Sequence, residues 1–101
     1  MSGKAAPASA LPAGVSPYHR TAIFTRDTVP AGLLKAHSTK KGVWGLIHVR
    51  EGELLYVVVD ERRAATETSL IPGGPPGVVE PEILHHVEPR EAVRFCVEFH
   101  R

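Results

Sequence analysis

Apolar residues in this chain come in short bursts separated by glycine, proline and charge, and within the bursts they alternate with a period of two. The clearest case is Val93–His100, where Val93, Phe95, Val97 and Phe99 fall on one face and Arg94, Cys96, Glu98 and His100 on the other. That is the pattern of a half-buried strand, apolar side inward. Val43–Arg50 alternates too, with Val43, Gly45, Ile47 and Val49 opposite Trp44, Leu46, His48 and Arg50. It is followed by Glu51-Gly52 and then Glu53–Asp60, an arrangement that predicts a tight hairpin. The run Leu54-Leu55-Tyr56-Val57-Val58-Val59 is apolar on both faces, as a strand covered on both sides would be. Shorter strands are predicted at Ala22–Thr25, Leu33–His37, Ala64–Ile71, Val78–Val79 and Ile83–Val87. The stretch Pro72-Gly73-Gly74-Pro75-Pro76-Gly77 predicts a fixed loop, because proline lacks the amide hydrogen and glycine weakens a ladder. No segment carries a sustained helical stripe. About eight short strands at this spacing predict an all-β sandwich or small barrel.

Residues 1–17 are dominated by alanine, proline, serine and glycine. They offer little apolar surface to bury and are predicted to form a disordered tail, with the folded domain over 18–101. The 101 residues, 43% hydrophobic and 23% charged, suffice for one domain with one core. The net charge is +1 and the basic residues are scattered, so no nucleic-acid partner is expected. No apolar run reaches membrane-spanning length, and the N-terminus lacks the apolar region of a secretory signal, so no membrane association is expected. The single cysteine, Cys96, excludes an internal disulfide. A cytoplasmic location is the resulting expectation.

Chemistry gathers in two segments: His37–Gly52, which reads H-S-T-K-K-G-V-W-G-L-I-H-V-R-E-G, and Glu80–Glu88, which reads E-P-E-I-L-H-H-V-E. Each sets histidine beside a strand-like run and a turn, and in a small barrel the two could bring imidazoles to one interior. The chain has no G-x-S-x-G elbow, phosphate-binding Walker loop, H-E-x-x-H or paired CxxC motif. Its few aromatic residues are too dispersed for a single-strand nucleic-acid platform.

These segments, with Asp27–Gly32 (D-T-V-P-A-G), the E-G-E-L stretch at 51–54 and Val79–Glu88, resemble the two motifs of the cupin superfamily. More narrowly they resemble the small TehB/YeaR-like cupin domain of the tellurite-resistance type, over about residues 22–101. The resemblance implies a double-stranded β-helix, or jelly-roll barrel, whose interior serves as a site, often for a divalent metal held by histidines and a carboxylate. His85 matches the histidine of the second motif and His37 the first histidine of the first. The second histidine and the glutamate of the first motif are missing, since Ser38 and Thr39 follow His37 and the next glutamate is Glu51. Longer tellurite-resistance proteins carry a methyltransferase domain. No glycine-rich strand-turn-helix is present here, so neither that activity nor S-adenosylmethionine is expected.

The resemblance makes His37 and His85 candidate ligands for one divalent metal (zinc, iron, manganese or nickel). The alternative is that they hydrogen-bond a ligand directly or rest against backbone carbonyls. His86, next to His85 on a strand, points to the opposite face. Trp44 is either a pocket wall or a core residue. His48, on the same face as Trp44, is a third polar group of the cavity if that face looks inward and a surface residue if it does not. Lys40 sits where it could draw an anionic ligand to the cavity mouth. Glu80 could add a carboxylate to the site or act as an edge charge. Cys96 shows no activating neighbour and reads as inert. Three functions are compatible with these residues. The first is a cupin that binds a small molecule or anion, in stress response of the tellurite-resistance type. The second is a metal-dependent enzyme using His37 and His85, and the third is a ligand-free dimerisation module. A homodimer is expected in line with the resemblance.

Overall fold

The computed structural model describes residues 11–90 and 92–101, and its regular structure is almost entirely β. Eight strands follow in order: β1 (Pro17–Arg20), β2 (Phe24–Thr25), β3 (Trp44–Glu51), β4 (Leu54–Val58), β5 (Thr66–Leu70), β6 (Gly77–Val79), β7 (His85–Pro89) and β8 (Arg94–His100). They make two antiparallel sheets. One runs β1-β8-β3-β6, with β2 also paired to β8; the other runs β5-β4-β7. The predicted tail at 1–17 falls outside the described residues over its first ten. Near its end, Ser16 exchanges backbone hydrogen bonds with Arg101 at 3.1 Å.

The core is one cluster fed by both sheets. Ile47, Val79, Phe95 and Val97 come from the first sheet, Leu54, Tyr56, Leu70 and Val87 from the second, and Val93 from the turn before β8. Phe95 and Leu54 are wholly shielded from solvent. The alternation in Val93–His100 is observed, but its outer face is covered in part: Cys96 is 0% and His100 7% exposed, while Arg94 stays exposed. The reason is that β8 is an interior strand. Cys96 lies opposite His48, and His100 opposite Trp44, on β3.

Two expectations are corrected. Glu51-Gly52 does not close a hairpin, since β3 pairs with β6 and β8 while β4 pairs with β5 and β7. The turn instead carries the chain from one sheet to the other. Gly52 has φ of +72°, and a Cβ there would lie 2.8 Å from the backbone of Ala92 and Val93, so this inter-sheet corner requires glycine. Leu33–His37 is not a strand. Ala31–Leu34 forms a 3-10 turn closed by Leu33 N–H donating to the Pro30 carbonyl at 3.0 Å, and only His37 makes an isolated β-bridge. The strand β1, with the sequence Pro-Tyr-His-Arg, carries no apolar alternation and forms through backbone pairing with β8. Among the described residues no helix is long and apolar enough to cross a membrane.

Candidate functional site

The bridge that replaces the expected strand at Leu33–His37 builds the site. His37 and His85 exchange backbone hydrogen bonds of 3.0 and 2.9 Å, which lays the first histidine segment against the free edge of β7. Their imidazoles then lie with ring centres 4.2 Å apart, inclined by 58°. Tyr56 on β4 meets the His85 ring edge-on at 5.6 Å. Both histidines line a cavity of about 530 Å³ between the sheets. Its apolar wall comes from Phe24, Ile47, Val79, Val87, Phe95 and Val97, and exposed Tyr18, His19, Lys40 and Arg101 stand among its rim residues.

The two imidazoles are anchored alike. His37 Nδ1 lies 2.8 Å from the Lys35 carbonyl oxygen, and His85 Nδ1 lies 2.9 Å from that of Ile83. A carbonyl oxygen can only accept, so each Nδ1 carries the hydrogen. Neither Nε2 has a hydrogen-bond partner among the described residues. Nor is either sealed in, since among the described residues His48 Nε2 alone is a buried, unpartnered side-chain polar atom. His85 is only 4% exposed. Burial lowers its pKa below the ordinary 6.5, with the nearby His37 and His86 adding to the effect and the Ile83 carbonyl opposing it. Tyr56 donates its hydroxyl to the Val78 carbonyl at 3.1 Å. Burial, with Glu80 assisting, pushes its pKa up to about 12.

His85 is also held from the β4 side. Asp60, 5% exposed, accepts from the Leu84 N–H at 3.0 Å and from Arg62 through its backbone N–H and its guanidinium at 2.8–2.9 Å. Arg62 in turn donates to the Glu82 carbonyl. The carboxyl of Asp60 is held well below the usual range, first by the Arg62 side chain and then by the Leu84 and Arg62 amides. Neither Asp60 nor Arg62 is singled out by sequence reasoning. The available signal was a carboxylate directly ending an apolar run, with an arginine two residues on.

The remaining candidates divide by face. Lys40 lines the cavity and is exposed. Trp44 and His48 sit on the face of β3 opposite Ile47 and do not line it. There His48 Nε2 lies 3.7 Å from Glu98 Oε1, in a group where Glu98 also accepts from Arg20 at 2.7 Å and His100 at 2.9 Å. Glu80 does not join the histidines; it pairs with Arg63, at 3.0 Å to Nε, and this lowers its pKa. His86 bonds Glu88 at 2.8 Å and is off the cavity wall. Cys96 is buried and unpaired. Among the described residues no three His, Cys, Asp or Glu side chains are grouped to hold a metal. Two imidazoles alone fall short of the three or four protein ligands of a zinc site.

A two-sheet all-β protein with a histidine-marked cavity is the class these features define. The sequence profile of the TehB-like domain matches residues 19–97, and the chain belongs to that family. Among solved structures, TehB from Haemophilus influenzae superposes on 85% of this chain with TM-score 0.77 and 26% identity; this chain spans 31% of TehB. A protein from Escherichia coli K12 solved by structural genomics superposes with TM-score 0.78 and 24% identity, over 90% of this chain and 94% of its own. At that identity the second likeness speaks for the fold alone. Comparison with curated protein sequences yields no match.

Proposed function

We propose that this chain is a small-molecule-binding cupin domain of the tellurite-resistance type, with the chamber between its sheets as the ligand site. The strand winding supports a double-stranded β-helix. The chain passes from β3 in one sheet to β4 and β5 in the other, back to β6, across to β7 and back to β8, as two jelly-roll halves would wind. The observation that carries the reading is the His37–His85 pair at 4.2 Å on the cavity wall. A merely structural histidine needs one satisfied nitrogen; this site holds two side by side on the cavity wall, each with its second nitrogen unpartnered among the described residues. Pockets of this kind, apolar with a few convergent polar groups, are the usual form of a ligand site.

The reading includes no resident metal and no catalytic step, because a third ligand is lacking beside the two imidazoles. It also disfavours a ligand-free module, which calls for a filled interior near His37. The test is a titration of the ¹⁵N,¹³C-labelled chain with a library of small neutral and anionic compounds, sodium tellurite included, followed by chemical shifts. The reading expects hits whose shifts centre on His37, His85, Ile47 and Val87 and vanish in His37→Ala. Shifts confined to the outer face around Trp44 and His48, or none at all, would overturn it.

A further inference from the structure

We infer that the chamber selects neutral ligands that join an apolar ring or chain to a hydrogen-bond donor, a hydroxyl or N–H, and reads that donor with the Nε2 atoms of His85 and His37. This rests on the cavity being the ligand site, and it adds the chemistry that the site accepts.

Donors and acceptors at the two rings decide which ligand fits. Each Nδ1 is committed to a main-chain carbonyl, at 2.9 Å for His85 and 2.8 Å for His37. A neutral imidazole carries one hydrogen, so its Nε2 then offers a lone pair. Burial keeps His85 toward that neutral form. The Tyr56 hydroxyl, on the ring that packs on His85, is already given to Val78. The two imidazoles therefore present acceptors, set against Phe95, Val97 and Val87, while the Thr21 and Thr39 hydroxyls on the same lining are given to the carbonyls of Ala22 and Val43. An acceptor that a ligand covers and leaves unpaired is costly, so a ligand that brings a donor is favoured over an isostere that cannot. An anion finds no donor in such imidazoles, and its charge would lie against an apolar wall. The cations on the cavity lining that could serve it, Lys40 and Arg101, are exposed at the rim.

The experiment compares three matched probes on the full chain at pH 7.5: 4-propylphenol, 4-propylanisole and 4-propylbenzoate. Binding is read from chemical shifts of the cavity residues. The expected result is that the phenol binds about tenfold tighter than the anisole, with the benzoate weakest. In His85→Phe, which keeps a ring but no acceptor, the phenol's advantage should fall to about twofold or less. Should that variant not fold, His37→Phe supplies the same comparison with a smaller loss, and the wild-type probe ranking stands without either. Equal binding of phenol and anisole at the cavity overturns the donor rule while leaving the chamber a ligand site. The benzoate binding tightest overturns it in favour of an anion read by Lys40. No cavity shift with any of the three overturns the donor rule; if the broader library is silent as well, the ligand site falls with it.

Discussion

Replacing His85 by phenylalanine and by alanine separates what its nitrogen contributes from what its ring contributes. Phenylalanine keeps an aromatic ring against His37 and Tyr56 and loses the Nδ1 hydrogen bond to Ile83. One such bond contributes about 1 kcal/mol net. Alanine removes the bond and both ring contacts, and aromatic pairs of this kind contribute about 0.5–1.5 kcal/mol each beyond burial. Because the ring borders an existing cavity, its removal enlarges an open space and creates no new sealed void, so the total should stay near 3 kcal/mol, the low end of aromatic-to-alanine truncations. In a domain of this size 1 kcal/mol moves Tm by roughly 4–8 °C. His85→Phe should thus lose roughly 4–8 °C and His85→Ala roughly three times that. The assay is urea unfolding followed by Trp44 fluorescence, alongside a thermal scan by circular dichroism. Equal losses in the two variants would refute the ring packing, and a loss under about 0.5 kcal/mol in alanine would refute the buried junction itself.

Other consequences follow from the same contacts. The folded pKa of His85 is below 6.5, so between the two values the unfolded chain holds a proton that the folded chain does not. The stabilisation it brings is complete above pH 6.5 and falls as pH drops through that window; the gap between wild type and His85→Phe should narrow on acidification, as urea midpoints across pH 5–8 would show. Asp60 is displaced downward in the same sense from 3.8, so its contribution is present above that pH and lost below it. Asp60→Asn should flatten the acid-unfolding curve below pH 4 and speed hydrogen exchange at the Leu84 amide. Gly52→Ala places a Cβ 2.8 Å from the Ala92 backbone at a φ of +72° and should cost about 2 kcal/mol or more, read as a lower urea midpoint. Metal analysis of untagged protein should find less than one zinc, iron, manganese or nickel per chain, because two imidazoles make too few ligands; a stoichiometric metal lost in the His37→Ala/His85→Ala double variant would reinstate the metal-dependent reading.

The strands were legible wherever side-chain period and burial agree. Val93–His100 and Val43–Arg50 show this, and their apolar faces are the ones that meet the core. Partner choice was not legible. Gly52 looks the same in a hairpin and in an inter-sheet corner, and only the approach of Ala92 and Val93 distinguishes them. Leu33-Leu34 reads as strand by composition, yet Pro30 and Gly32 admit a 3-10 turn whose closing bond is local. For the site, the two histidine segments were visible as motifs, while their meeting depends on long-range backbone bonds, the His37–His85 pair across 48 positions and Glu82 N–H to the Thr39 carbonyl. Period two sorts Trp44 and His48 from Ile47 but does not say which face looks inward. Asp60 was not legible because, beside Arg62 two residues on, its partner is the Leu84 amide, 24 residues away.

The central claim concerns where the hydrogens sit on two rings, and long-range ¹H–¹⁵N correlation of the histidine side chains at pH 8 observes that directly. His37 and His85 should both appear with hydrogen on Nδ1 and a bare Nε2, and the Nε2 resonances should move on addition of 4-propylphenol. Either ring carrying its hydrogen on Nε2, with Nδ1 bare, would contradict the account.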